Sequence, residues 1–242
     1  METPRRGALR RPPEVRAMFD RIVRRYDLIN RLMSGGRDVA WRRLAARAAL
    51  AAGARRVLDV ATGTGDLALE LARQGAPGVV GADFSRGMLG LAADKVRARR
   101  APVTLLQADA MRLPFPDGAF DACTVAFGLR NMPDYEAAVA EMARVLRPGG
   151  RLVILEMTPL RLPVLRTLFR WYFDRLVPIV GGLISGDRDA YRYLPRSVSA
   201  FPPADELAQI MHRAGLHPVE YRLLALHTVA IHVGVKPAPP PA

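Results

Sequence analysis

The sequence predicts an α/β protein built on a mostly parallel, doubly wound sheet of seven strands, and three observations predict it. Short apolar runs alternate with helical segments from Arg56 to Glu156. A glycine-punctuated turn follows the first run at once, in Val57-Leu58-Asp59-Val60-Ala61-Thr62-Gly63-Thr64-Gly65-Asp66. Two last apolar runs lie so close together that a hairpin must join them. Repeated strand–helix alternation implies parallel strands with crossover helices on both faces, and the hairpin adds an antiparallel edge.

Val15 to Leu32 has helical spacing of apolar residues and is stopped by Ser34-Gly35-Gly36; Asp38 to Ala52 is a second helix, ended by Gly53. The strands are then expected at Arg56–Val60, Gly78–Ala82, Val103–Gln107, Phe120–Phe127 and Arg151–Glu156. Helices are expected between them at Asp66–Gln74, Arg86–Arg100 and Asp134–Leu146. Leu160 to Leu183 is apolar and aromatic with scattered arginines, and Ser185-Gly186-Asp187 ends it. A helix from Pro202 to Ala214 leads to the hairpin strands Leu216–Leu223 and Leu226–Val235. With no internal repeat and no linker, residues 1–242 read as one domain, with an N-terminal helical cap over 1–52 and a helical insertion or lid over 158–200. Met1–Pro13 and Pro237–Ala242 read as disordered ends.

The net charge is +13, carried almost wholly by arginine, since Lys95 and Lys236 are the only lysines. Such a surface attracts anionic lipid or nucleic acid, but no aromatic–basic stacking module for RNA is present. The single cysteine, Cys123, excludes an intrachain disulfide framework and a cysteine-cluster zinc site, and its apolar run makes it a buried bystander. There is no apolar signal segment and no uncharged run near 20 residues, so the expected location is cytoplasmic.

In the first turn, Gly63 and Gly65 allow the backbone to approach a ligand at the carboxyl edge of the sheet, which points to a nucleotide-like cofactor. Asp83 ends the second strand, where a carboxylate can accept from both hydroxyls of a ribose. Nicotinamide enzymes share that turn and that acid. Asp59 weighs differently, because a carboxylate there would repel a pyrophosphate. It suits the positively charged amino-acid end of S-adenosylmethionine, directly or by fixing the turn; a plain turn-bonding aspartate is the alternative. Gln107-Ala108-Asp109-Ala110 closes the third strand, where an acid can accept from an adenine amino group. Arg147-Pro148-Gly149-Gly150 turns tightly into the fifth strand.

This ordered set resembles the class I S-adenosylmethionine-dependent methyltransferases, a Rossmann-like fold, over Arg56 to Glu156. Two more segments, Tyr26-Asp27-Leu28-Ile29-Asn30 and Phe127-Gly128-Leu129-Arg130-Asn131, narrow it. With Arg147–Glu156 and Asp189–Ser197, they resemble the ubiquinone/menaquinone biosynthesis C-methyltransferases from about Val15 to Lys236. The chain departs from that family at Asp38, where many members carry histidine, and at Ile29, Ala126 and Val233.

The resemblance implies that Gly63, Thr64 and Gly65 line the methionine and ribose, that Asp83 binds the ribose, and that Asp109 with Ala110 binds the adenine. It implies a polyprenylated quinol as acceptor and no metal. Demethylmenaquinol is the first choice, since arginine and alanine richness suggests a GC-rich genome; the benzoquinol of ubiquinone synthesis is the alternative. A small-molecule or RNA methyltransferase on the same fold remains a further alternative, although nucleic acid is not the expected partner. On this reading Arg130 favours the phenolate of the quinol and Asn131 orients its ring, unless they form a loop-pinning salt bridge and a turn amide. Tyr26 and Asp27 close over the cofactor, unless Tyr26 is a packing residue. Leu162 to Leu183, with Arg161, Arg166, Arg170 and Arg175, reads either as a core or lid helix or as a peripheral contact with the membrane holding the quinol. A homodimer is compatible with the sequence.

Overall fold

The computed structural model describes residues 7–159 and 188–238. Two helices, α1 (Pro12–Ser34) and α2 (Arg37–Leu50), precede the sheet. The order is then β1 (Arg56–Val60), α3 (Asp66–Arg73), β2 (Gly78–Asp83), α4 (Arg86–Arg99), β3 (Val103–Gln107) and β4 (Phe120–Ala126). A 3-10 turn, Leu129–Asn131, leads to α5 (Tyr135–Arg144) and β5 (Leu146–Met157). Then come α6 (Arg188–Ala200), α7 (Ala204–Arg213), β6 (Val219–Leu224) and β7 (Val229–Val235). The strands form one seven-stranded sheet in the order β3-β2-β1-β4-β5-β7-β6, with β7 antiparallel to β5 and β6. The expected fold class is the observed one.

Alternation along β1 divides the core into two layers. Val57 faces one way, against Ala45, Ala46 and Ala49 of α2 and Leu67 and Leu71 of α3. Leu58 and Val60 face the other, with Tyr135, Val139 and Met142 of α5 and Leu207 and Met211 of α7. Cys123 lies fully buried in the second layer, and burial pushes its thiol well up, so it is the inert residue expected.

Three boundaries differ for physical reasons. β5 begins at Leu146, because Leu146 already pairs with Phe120 before the register shifts between Phe120 and Ala122. The tight turn therefore sits within the strand, where a Cβ on Gly150 would come within 2.8 Å of the Arg147 carbonyl oxygen. The hairpin strands begin later than expected: at Val219, because the Leu216 N–H is still bonded to the Met211 carbonyl at the end of α7, and at Val229, because residues 225–227 all take positive φ to make the turn. At the N-terminus, Ala8 to Pro13, expected as part of a disordered end, are held in place. The Ala8 N–H donates to the Met132 carbonyl at 2.7 Å, and α1 starts at Pro12, where proline's missing N–H is no loss. The segment Leu162–Leu183, read as lid or membrane contact, lies outside the described residues.

Parallel pairing puts the carboxyl ends of β1, β2, β3 and β4 on one edge. The chain leaves β1 toward β2 on one side and returns as β4 on the other. The crevice at this reversal is where open α/β sheets bind ligands, and α1 is tied across that edge by the side-chain bonds described next.

Candidate active site

Gly63 and Gly65 both take positive φ (57° and 81°), so the turn after β1 needs glycine at both positions. A Cβ on Gly65 would also meet the Ala92 Cβ at 3.2 Å, so the glycine lets α3 and α4 approach. Asp59 is 1% exposed and does not reach outward. Its two oxygens accept from Thr62 Oγ1 (2.6 Å) and Thr124 Oγ1 (2.7 Å), clamping the turn to β4. Burial raises its pKa to about 6, against the pull of those two hydroxyls. Asp59 thus fixes the turn, a placement shared by the cofactor reading and the turn-bonding alternative.

Asp83 closes β2 with Oδ2 accepting from the Gly63 N–H (2.8 Å) and Oδ1 from the Ser85 N–H (2.9 Å). Burial raises its pKa, while those N–H groups oppose the rise. The Phe84 N–H bonds to it as well, so of the roughly four acceptor positions a carboxylate offers about one remains for a ligand hydroxyl. Asp109 is exposed on the loop after β3 and accepts from the Met111 N–H at 2.9 Å, with Ala110 half-buried beside it. Gly63, Gly65, Asp83 and Asp109 thus lie along one edge, a donor and acceptor set that fits an adenosine and a methionine tail.

Thr64 lies in the same turn as Gly63 and Gly65. Its hydroxyl points to α1, donating to Asp27 Oδ1 (2.7 Å) and accepting from Lys95 Nζ (3.0 Å). Lys95 also pairs with Asp27 (2.5 Å) and Asp66 (2.7 Å). A second tie joins Ser85 Oγ to Asp20 Oδ1 at 2.5 Å. Together they strap α1 over the glycine turn. Asp38, the departure from the family pattern, pairs with the buried Arg42 at 2.5 Å, and the Arg42 guanidinium stacks over Phe127.

Past β4 lies a buried polar cluster. Arg130 is 7% exposed, and its Nη1 donates to Glu156 Oε1 (2.5 Å) and to the Phe127 carbonyl (2.7 Å). Its Nε is buried with no partner among the described residues, as are Asn131 Oδ1 and the Tyr193 hydroxyl. Tyr193, on α6, is 5% exposed and packs with Met18, Ile22 and Ile29 of α1. Burial raises the pKa of Tyr26 and of Tyr193, and the Arg130 charge opposes both rises, so the guanidinium acts on both phenols. Both phenols therefore stay protonated near neutral pH.

The sequence reading names Arg130, Asn131 and Tyr26, and the fold brings them to one corner of the sheet edge. It missed Glu156 and Tyr193 as members of that corner. An acid closing the fully apolar run Leu152–Leu155 was the available signal, since a buried carboxylate requires a partner.

Similarity to known proteins agrees with this arrangement. A match to the ubiE/COQ5 methyltransferase family runs over residues 8–236. The chain belongs to that family. It is therefore a methyltransferase, and S-adenosylmethionine is its methyl donor. A demethylmenaquinone methyltransferase of Thermus thermophilus is 54% identical over 91% of this chain and 100% of its own. One from Deinococcus radiodurans is 50% identical over 92% of each. The ubiquinone/menaquinone biosynthesis C-methyltransferase UbiE of Geobacter sulfurreducens is 44% identical over 92% of this chain and 88% of its own. Among solved structures, the fold matches a Thermotoga maritima S-adenosylmethionine-dependent methyltransferase at TM-score 0.61 and 18% identity, covering 92% of this chain and 99% of that one. It also matches the [4+2]-cyclase SpnF at 0.64 and 22%, covering 96% and 99%. A fold shared with a cyclase carries no substrate by itself.

Proposed function

We propose that this enzyme C-methylates demethylmenaquinol to menaquinol. The observation that carries the reading is a group of three buried atoms without a partner among the described residues, Arg130 Nε, Asn131 Oδ1 and Tyr193 Oη, beside the cofactor edge. A buried polar group without a partner costs about 1–3 kcal/mol, and a hydroxylated ring would offset that cost. The names of the relatives above supply the ring's identity.

Bound S-adenosylmethionine supplies an electrophilic methyl on a positively charged sulfur. Asp83 holds a ribose hydroxyl, Asp109 and Ala110 border the adenine, and Gly63 to Gly65 cradle the methionine and ribose. At the acceptor, loss of a quinol hydroxyl proton to solvent raises electron density at the neighbouring ring carbon. That carbon would take the methyl as the methyl–sulfur bond breaks with its electron pair left on sulfur, and then lose its own C–H proton to restore the aromatic ring. The Arg130 Nε–H donates to the hydroxyl oxygen and favours its anionic form. Glu156 keeps the guanidinium fixed and neutralises much of its charge, so Arg130 acts here as an oriented donor more than as a free cation. Asn131 Oδ1 accepts from the second ring hydroxyl. Tyr26 and Tyr193, held protonated, donate hydrogen bonds and close the site from α1 and α6.

A polyprenyl quinol resides in the bilayer, and no described helix is long and apolar enough to cross one. On this proposal the enzyme reaches the quinol as a peripheral protein at the inner membrane face, a reading supported by the bilayer residence of the substrate class and not by the absence of a spanning helix.

The test is methyl transfer from labelled S-adenosylmethionine to reduced demethylmenaquinol and to the demethylated benzoquinol of ubiquinone synthesis, side by side in detergent. The Geobacter relative's name makes the benzoquinol the second reading. Labelling of the naphthoquinol is the expected result. Labelling of the benzoquinol alone moves the enzyme to the other pathway. No labelling of either, with cofactor binding intact, overturns the quinol assignment.

A further inference from the structure

A groove of about 520 Å³ lies between the C-terminal ends of α1 and α4 and the flanks of α2 and α3. Four arginines converge on it, Arg31, Arg43, Arg99 and Arg100, all of them exposed. None of the four has an ion-pair partner among the described residues. The two carboxylates on the wall are already answered, Asp66 by Lys95 at 2.7 Å and Glu70 by Arg73 at 2.6 Å. Arg31 also acts on Asp66 and Arg43 on Glu70, but with Arg42 and Arg73 six arginines line the groove against two carboxylates, so its field is net positive.

Helix dipoles favour cations at helix C-termini, which accounts for Arg31 and Arg99 singly. It does not account for Arg43, inside α2, nor for the left-handed backbone at Arg100. Arg100 caps α4 at φ 48°, a left-handed conformation in which glycine is the less costly residue. Converging like charges also repel one another, and a multivalent anion relieves that repulsion.

We propose that this groove binds a phosphate-bearing anion, a diphosphate or phosphodiester group held by guanidinium forks. Planar guanidinium matches phosphate oxygens two at a time, which ammonium does not. The volume falls in the range of small-ligand sites, roughly 300–1,000 Å³, and has room for more than one phosphate. Such a group can come from a soluble diphosphate compound or from the headgroup of an anionic phospholipid. The inference rests on the groove alone and is independent of the quinol assignment.

Inorganic pyrophosphate is titrated calorimetrically into the full-length protein. Separately, the protein is sedimented with phosphatidylcholine vesicles with and without phosphatidylglycerol at fixed ionic strength. Three proteins are compared: the unaltered chain, Arg43→Ser/Arg99→Ser/Arg100→Ser, and the control Arg55→Ser/Arg112→Ser/Arg222→Ser, which removes the same charge from exposed positions elsewhere. The groove variant is expected to lose about tenfold or more in affinity while the control keeps its binding. Selective loss for pyrophosphate alone assigns a soluble ligand, and selective loss for phosphatidylglycerol vesicles alone assigns the headgroup. Selective loss for both, with pyrophosphate displacing the vesicles, assigns one site to the shared phosphate chemistry. Equal loss in both variants, or no binding of either probe by the unaltered chain, overturns the proposal. Arg100→Gly separates binding from folding, because it relieves the positive φ while deleting one fork. Its melting temperature should rise as its affinity falls; unchanged affinity would count against the groove.

Discussion

Glu156, at the end of β5, places its Oε1 2.5 Å from Nη1 of Arg130, and both side chains are almost wholly buried. Breaking such a pair leaves a charge in a dry site, at a cost of about 3–5 kcal/mol. Glu156→Leu should therefore lower stability by that amount, measured by urea unfolding. Arg130→Lys asks a different question, because it keeps the charge opposite Glu156 and deletes the Nε–H. It should fold and bind cofactor yet lose about a hundredfold in turnover, the scale expected for one oriented donor at a developing oxyanion. Near-normal turnover in Arg130→Lys would reduce Arg130 to a structural pin.

The chain's two lysines share an arrangement. Lys95 Nζ meets Thr64, Asp27 and Asp66, and Lys236 Nζ donates to the carbonyls of Ala143, Arg144 and Leu146, capping α5. A compact ammonium with three donors serves three acceptors around one point, and a flat fork does not. Lys95→Arg is thus not conservative here. It should loosen α1 from the glycine turn, weaken S-adenosylmethionine binding by about tenfold, and speed proteolysis within α1. Titration of the cofactor into the variant, with proteolysis run in parallel, checks both effects.

What could be read from the sequence follows the range of the interactions. Arg56–Val60 and Val103–Gln107 are found at their exact bounds, because an apolar run between turn residues is a local signal. The glycine turn and Asp83 were equally plain, since their spacing along the chain sets their geometry. Glu156 stands 26 residues from Arg130, and only the pairing of β4 with β5 joins them. Tyr193 reaches the same corner by the packing of α6 on α1, which no local pattern encodes. The place of Thr64 in the motif is a local signal, but its rotamer is decided by Asp27, 37 residues away. The rarity of lysine was visible, but its meaning needed the acceptors.

Gly128 supplies a prediction about the wall between cofactor and acceptor. A Cβ there would lie 2.6 Å from the Ala61 Cβ, and Ala61 itself holds φ at 52° in the turn after β1. Neither atom is the end of a flexible side chain, so backbone must move. Gly128→Ala should cost about 1–3 kcal/mol and, by displacing the turn, weaken cofactor binding several-fold. Calorimetric titration beside a thermal melt measures both; a loss of stability with unchanged cofactor affinity would separate this contact from the site.

His232 makes a pH-dependent contribution whose sign can be worked out. It is fully buried, its Nε2 lies 2.8 Å from the Ala204 carbonyl, and burial lowers its pKa from an ordinary 6.5 to about 4. Between those values the unfolded chain holds a proton that the folded chain refuses. The contribution is thus fully present above pH 6.5 and is lost as the pH falls toward 4, by up to about 3 kcal/mol. Asp59 runs the other way. With its pKa raised from 3.8 to about 6, the folded state holds the extra proton across that span, so stability rises as the pH falls. The two groups nearly cancel between pH 6 and 4. His232→Gln keeps a donor for the Ala204 carbonyl and removes one of them. Its stability relative to the unaltered protein should therefore improve by about 2–3 kcal/mol between pH 7.5 and pH 4.5 in urea titrations. A difference that does not change with pH would mean that His232 is not the group whose protonation opposes the fold.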